Sequence, residues 1–235
     1  MDSLRIESFF DLTGIEHAAL FKAFQFPWEV LAAIGDYLEN QTLGNIQVDI
    51  PEGAHLHSPE LISIGEGSVV EPGAYIRGPC IIGKNTSVRQ GAYIRGNVIV
   101  GDNCVVGHAT EAKNTVFLNG AQAGHFAYLG DTILGVKCNV GAGTKCANLK
   151  LDWKEVIVRT EGQTFNTDLR KFGAILGDYV QIGCNAVTNP GTMVGPHSRC
   201  YPCLNFGGVI PPHSIVKPDQ KLKVVTLNER TSKSP

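Results

Sequence analysis

A period of six residues governs this chain. The hexamer Gly73-Ala74-Tyr75-Ile76-Arg77-Gly78 returns eighteen residues later as Gly91-Ala92-Tyr93-Ile94-Arg95-Gly96, and eighteen is three sixes. On that phase Ile64, Val70, Ile76, Ile82, Val88, Ile94, Val100, Val106, Ala112 and Leu118 are all apolar, in a sequence that is 43% hydrophobic overall. Four places after each stands a small residue, from Ser68, Ala74 and Cys80 to Thr110 and Val116, with Gln122 the exception. A helix has no use for a period of six. Short strands joined at corners do, with one residue per hexad on the axis and a small one filling the corner. Between Leu118 and Leu134 the interval is sixteen, so the register slips; Leu134, Val140 and Cys146 resume it, and Leu176, Ile182, Thr188, Val194 and Cys200 form a last run. About eighteen hexads predict about six coils, and at about 4.8 Å per coil a prism about 30 Å tall.

A stack of coils leaves both ends open, so the remaining residues are expected to cover them. Residues 1–45 read as a helical N-terminal cap or an interface element. Thr13 with Glu16 three places on has the form of a capping box, and Ile15, Ala19, Ala23 and Phe26 make one apolar stripe. Pro27 opens a second helix carrying Trp28, Val30, Leu31, Ile34 and Leu38, with Gly35 a blemish inside it. Residues 46–62 read as a linker and 63–206 as the coiled body, with an excursion at about 147–175. The Gly207-Gly208 and Pro211-Pro212 pairs mark the change to a C-terminal tail, 207–235, whose last residues are expected to fray. Within the excursion Val156-Ile157-Val158 predicts one strand, followed by a polar loop from about 159 to 173.

The net charge is -2, which provides no global field for nucleic acid or a membrane surface. No apolar run has the length of a membrane span, and the first residues lack the basic-then-apolar order of a signal peptide, so the cytoplasm is the expected compartment. The seven cysteines agree with a reducing environment: Cys80, Cys104 and Cys138 occupy small-residue places, Cys146 and Cys200 axial ones. Cys200 and Cys203 form a CxxC without a second pair, so no metal is predicted.

Glycine follows many axial residues, as in Ile64-Gly65, Ile82-Gly83, Val100-Gly101, Val106-Gly107, Leu134-Gly135 and Val140-Gly141. This rule resembles the left-handed parallel β-helix of the hexapeptide acyltransferases. The implied fold is all-β, a left-handed parallel β-helix with a short helical N-terminal cap; the left hand enters through the resemblance, since parallel crossovers in general favour the right. Over residues 107–154 the match narrows. Glu111-Ala112-Lys113, Ala123-Gly124-His125-Phe126-Ala127-Tyr128-Leu129-Gly130-Asp131, Asn139-Val140-Gly141-Ala142-Gly143-Thr144 and Ala147-Asn148 resemble the acetyltransferase domain of bifunctional glucosamine-1-phosphate acetyltransferase / N-acetylglucosamine-1-phosphate uridylyltransferase. Thr167-Asp168-Leu169-Arg170-Lys171-Phe172-Gly173-Ala174 is similar to β-helices that follow a sugar-1-phosphate nucleotidylyltransferase. The residues before the first coil leave no room for such a nucleotidylyltransferase domain, and the chain carries no phosphate-binding glycine loop.

Acetyl transfer to an amine needs a base, donors for an oxyanion and, for a sugar phosphate acceptor, cations. The resemblance implies His125 as general base, expected inside the register slip. It implies Arg95, Lys113 and Lys154 around the phosphate with the Tyr128 hydroxyl, and Asn139 and Asn148 on sugar hydroxyls or the amine. Acetyl-CoA, as co-substrate, would lie along Ala142, Cys184 and Pro202. Cys184 stands where serine is usual and Pro202 has no N–H to donate; Lys217, Lys221 and Lys223 are candidates for the cofactor phosphates. Arg77 lies one coil from Arg95, and such neighbours must diverge, pair with carboxylates such as Glu71 or share an anion; Arg95 is expected to take the anion and Arg77 to be structural. Arg170 and Lys171 are expected to fold over the acceptor or a neighbouring subunit. A homotrimer with sites between prisms is the implied assembly, acting on a small-molecule amino-sugar phosphate of which glucosamine 1-phosphate comes first. Two rivals remain: a non-catalytic scaffold or regulatory module, and zinc-dependent hydration of carbon dioxide. The latter needs three converging histidines, and His108, His125, His197 and His213 show no such spacing.

Overall fold

A computed structural model describes residues 2–219; Lys221, Lys223 and the other residues of the expected tail from 220 to 235 lie outside them. The hexads wind into a left-handed parallel β-helix with three flat faces. The first face runs from the strand His55–His57 through Tyr75–Arg77 and Tyr93–Ile94 to Asn205–Phe206, eight rungs in all. The third is an eight-stranded sheet from Val69–Val70 to Ile215–Val216. The second lies between them, from Ile62–Ile64 to Val209–Ile210. Every contact along a face is a parallel ladder, so each axial residue stacks on its equivalent one coil away, as Ile76 does on Ile94.

Eight rungs make the prism about 38 Å tall at about 4.8 Å each, two more than the hexad count predicts. The difference lies at the ends. Ile46 already bridges to Ile64, so residues 46–62 are coil and not linker, and the pairings Val209 to Met193 and Ile215 to Arg199 carry the body past residue 206. Partly buried Ile46, Val48 and Leu56 close one end of the core, and Phe206, Ile210 and Val216 the other.

The register slip resolves into two separate omissions. Eighteen residues separate Tyr93 from its partner Glu111, but seventeen separate Glu111 from Tyr128 and Tyr128 from Lys145. Each short coil loses its residue at the corner between the first and second faces, where Asn114 and Asp131 both take φ near 50° and the strands Glu111–Phe117 and Tyr128–Leu134 run on through the bend. Asn and Asp tolerate that left-handed backbone better than most residues. The axial residue is therefore Phe117, while Leu118 belongs to a second apolar cluster outside the coil. Four places after Phe117 stands Ala121, fully buried, which removes the Gln122 exception.

The N-terminal segment does not cap an end. It lies along the second face, whose outward residues Ile99, Val116, Ile133, Ile175 and Met193 are at most 1% exposed. The helices α1 (Ala19–Lys22) and α2 (Pro27–Glu39) supply Phe21, Trp28, Leu31 and Ile34 to that cluster. Pro27 does open α2, and the Glu29 carboxylate takes the N–H groups of Gln25 and Phe26. Thr13 and Glu16 open no helix: Asp11 accepts the Thr13 N–H, Gly14 turns at φ 73°, and residues 16–18 form a turn before Ala19. Gly35 has a packing reason, since a Cβ there would approach the Asn97 carboxamide to 3.3 Å.

The excursion leaves the same corner one coil later, after Asn148, and returns where Leu149 bridges Lys171. The expected polar loop contains a second strand, so Ile157–Thr160 and Gln163–Asn166 form an antiparallel hairpin. Phe165 packs against Phe26 and Trp28, tying the hairpin to the N-terminal segment.

Candidate functional site

Most of the candidate residues lie along the two edges of the first face. At the edge toward the third face, the ladders Ala123 to Val140, Val140 to Ile182 and Ile182 to Cys200 place His125, Ala142, Cys184 and Pro202 in one column, one coil apart. His125 is exposed at the end of the regular strand Gln122–His125, directly paired with His108. It does not sit in the register slip; the shortened corners are across the face. The sequence offers His108 only as a candidate zinc ligand, and the seventeen residues between it and His125 give no local sign that the two stack. Its Nδ1 lies 2.9 Å from the Gln90 carbonyl and its ring meets Phe126 edge-on at 4.9 Å. The backbone along this column is held in the ladder: Gly143 donates to the His125 carbonyl, Asn185 to that of Ala142 and Cys203 to that of Cys184.

The opposite edge gathers the cations. Arg77, Arg95 and Lys113 follow one another up successive coils, and the next position is Gly130. Arg95 pairs with Glu111 at 2.6 Å, which, ahead of all other influences, raises its already high pKa. Its guanidinium also lies 5.7 Å from the Tyr93 ring centre. Glu71, the expected partner for this pair of arginines, instead accepts the Gln90 N–H. Lys113 Nζ lies 3.3 Å from the Asp131 carboxylate. Glycine at 130 makes room for what faces it: a Cβ there would be 2.6 Å from both the Tyr128 hydroxyl and the Asn148 carboxamide. Burial, then the Glu111 and Asp131 carboxylates, hold the Tyr128 phenol above its ordinary pKa.

Arg95, Lys113, Tyr128 and Asn148 thus form one group. His125 lies across the face from them, five residues before Gly130, a contour of roughly 16 Å. Asn139 stands apart, on the third face in the column of Gln122 and Gln181. Lys154 sits in the excursion beside a cleft of about 660 Å³ lined by Lys150, Trp153 and Arg170. Trp153 and Arg170 also line a neighbouring cleft of about 690 Å³ with Lys113, Asp131 and Lys171, so the basic excursion residues border the cation edge. Among the described residues no group of three or more His, Cys, Asp or Glu side chains is arranged to hold a metal ion, and no helix is long and apolar enough to cross a membrane.

Stacked hexads with a parallel ladder on every face define a left-handed β-helix of the hexapeptide-repeat class. The GMPPB C-terminal domain family matches residues 76–210, and the chain belongs to that family. A bifunctional sugar-1-phosphate nucleotidylyltransferase/acetyltransferase of Sulfurisphaera tokodaii is 31% identical over 192 residues, covering 80% of this chain and 46% of that protein. The bifunctional protein GlmU of Methanococcus maripaludis strain C7 is 38% identical over 187 residues, covering 80% of this chain and 44% of its own length. The chain therefore spans about half the length of these curated relatives. Among solved structures, a UDP-N-acetylglucosamine acyltransferase from Campylobacter jejuni aligns with a TM-score of 0.44 at 17% identity, over 71% of this chain and 70% of that one.

Proposed function

We propose that this chain transfers acetyl from acetyl-CoA to the amine of an amino-sugar 1-phosphate, with glucosamine 1-phosphate the first acceptor to test. The observation that supports it best is the division of one face into a His125 edge and a cation edge. His125 takes the amine proton as general base while the amine attacks the thioester carbonyl, and the thiol of coenzyme A leaves. The donor lies along Ala142, Cys184 and Pro202, in the column that begins at His125. Arg95, Lys113 and the Tyr128 hydroxyl face the phosphate, with Asn148 beside them. Asn139, on another face of the same chain, and Lys154, out on the excursion, reach an acceptor best across a boundary between chains. This favours a homotrimer of prisms packed by their uncovered first and third faces, the second being occupied by the N-terminal segment.

Two observations favour a non-catalytic scaffold: Arg95 and Lys113 are each already neutralised by a carboxylate, and Pro202 offers no N–H at the cofactor column. Thiol release from acetyl-CoA, followed against a panel of amino-sugar phosphates and nucleotide-linked amino sugars, separates the two. Acetyl transfer predicts release with at least one acceptor. No release with any, together with no thermal shift by acetyl-CoA, favours the scaffold.

A further inference from the structure

The shortened corner holds a carboxylate that no part of the proposed reaction uses. Asp131 is 4% exposed, and both of its oxygens are engaged. Oδ1 accepts from Lys113 Nζ at 3.3 Å and from Asn114 Nδ2 at 3.0 Å, while Oδ2 accepts from Asn148 Nδ2 at 2.5 Å, with Lys113 Nζ also at 3.5 Å. Lys113 and Asn114 belong to the coil before Asp131, and Asn148 to the coil after. Asn114 Nδ2 also donates to the Leu31 carbonyl of α2 at 3.0 Å, so the N-terminal segment is tied into the same cluster. Omission of one residue at Asn114 and again at Asp131 is what stacks these side chains over one another.

From this geometry we infer that Asp131 is a positioning residue for the acceptor: its carboxylate sets the Lys113 ammonium and the Asn148 carboxamide in fixed places beside the Tyr128 hydroxyl. An ammonium has three N–H donors, and the two Asp131 oxygens occupy at most two, which leaves one for an acceptor anion. The inference rests on the acetyl-transfer reading. It also makes a prediction opposite to simple electrostatics. A carboxylate next to a phosphate site repels the phosphate, so if Asp131 acted only through its charge, removing that charge would lower the acceptor KM. If Asp131 positions Lys113 and Asn148, removing it raises the acceptor KM although a negative charge has gone.

The test is steady-state kinetics of Asp131→Asn, Lys113→Met and the double variant, with each substrate varied in turn. Positioning predicts an acceptor KM raised by about ten- to a hundredfold in Asp131→Asn, the range for a hydrogen bond to a charged group. The acetyl-CoA KM stays within about twofold, because the cofactor column is at the other edge. In the Lys113→Met background, Asp131→Asn adds far less to the acceptor KM than it does alone. A lowered or unmoved acceptor KM in Asp131→Asn, or full additivity, overturns the role. Should Asp131→Asn fail to fold by circular dichroism, Lys113→Met, Asn148→Ala and their double variant replace it: effects on the acceptor KM that couple support a shared anchor, and additive effects overturn it. Absence of turnover in the unsubstituted protein removes the acetyl-transfer reading and this role with it, whereas turnover with an unmoved KM in the variant removes this role alone.

Discussion

Ile133 offers a direct test of the covered second face. It points away from the coil axis, between its ladder partner Val116 on one side and Ile175 on the other, and is 0% exposed under the cluster that includes Leu31 and Ile34 of α2. Ile133→Ala removes three buried carbons, about 2.4 kcal/mol at about 0.8 kcal/mol each. The cavity left between two relatively rigid layers raises this to about 3–4 kcal/mol. For a chain of this size that lowers Tm by about 6–16 °C. Val69 is the control. It also points outward, but on the third face, where it is 56% exposed, and Val69→Ala is expected to stay within about 0.5 kcal/mol. Urea unfolding followed by circular dichroism gives both values. Equal, small losses for the two variants would mean that the N-terminal segment does not lie on that face in solution.

Three further outcomes follow from the packing and the titratable groups. Thr188 lies on the axis stacked on Cys146, and its buried hydroxyl has at best that weakly hydrogen-bonding thiol for a partner, so Thr188→Val should stabilise the fold by about 1–2 kcal/mol in the same unfolding assay; destabilisation would show that the hydroxyl has a stronger partner. His17 is packed against Tyr37, and burial above all depresses its pKa. The unfolded chain therefore binds the proton first, and stability present above about pH 6.5 is lost as pH falls toward and through the lower folded value. His17→Gln should flatten that acid limb of Tm against pH, and an unchanged slope would count against the assignment. Of the seven thiols only Cys184 and Cys203 are exposed, while burial pushes Cys80 and Cys104 up to about 12 and Cys146 and Cys200 to about 11. Two thiols should react rapidly with an aromatic disulfide in the native protein, and acetyl-CoA should slow the one at Cys184; no protection would argue against the cofactor column.

The coil was legible because its period is imposed residue by residue: Ile64, Ile76 and Val88 each fill the same axial space, which apolar side chains occupy almost throughout, Thr188 being the polar departure. Where the register breaks was harder to read. A total interval of sixteen shows that residues are missing but not at which corner, and only the structure ties Gln122, a polar residue where a small one belongs, to the first omission at Asn114. The position of the N-terminal segment was also written in the sequence. Ile81, Ile99, Ile133 and Ile175 recur between axial residues on one face, where the first face has Tyr75, Tyr93 and Glu111, but hexad counting looks only at the axis. The excursion hid its hairpin because Gln163–Asn166 has one apolar side chain, Phe165, and that one packs, half-buried, against aromatics more than a hundred residues earlier. The candidate site was legible as residue types and not as partners. Arg95 with Glu111 and Lys113 with Asp131 each join neighbouring coils, and a contact sixteen or eighteen residues apart leaves no local signature.

The measurement closest to the centre of this account is the turnover of His125→Ala with acetyl-CoA and the best amino-sugar phosphate. His125 is exposed and makes no side-chain hydrogen bond among the described residues, so its loss should leave Tm within a few degrees. Loss of a general base lowers kcat by about a hundred- to ten-thousandfold. A stable, folded variant with that loss is the predicted result; one that turns over at the rate of the unsubstituted protein contradicts it.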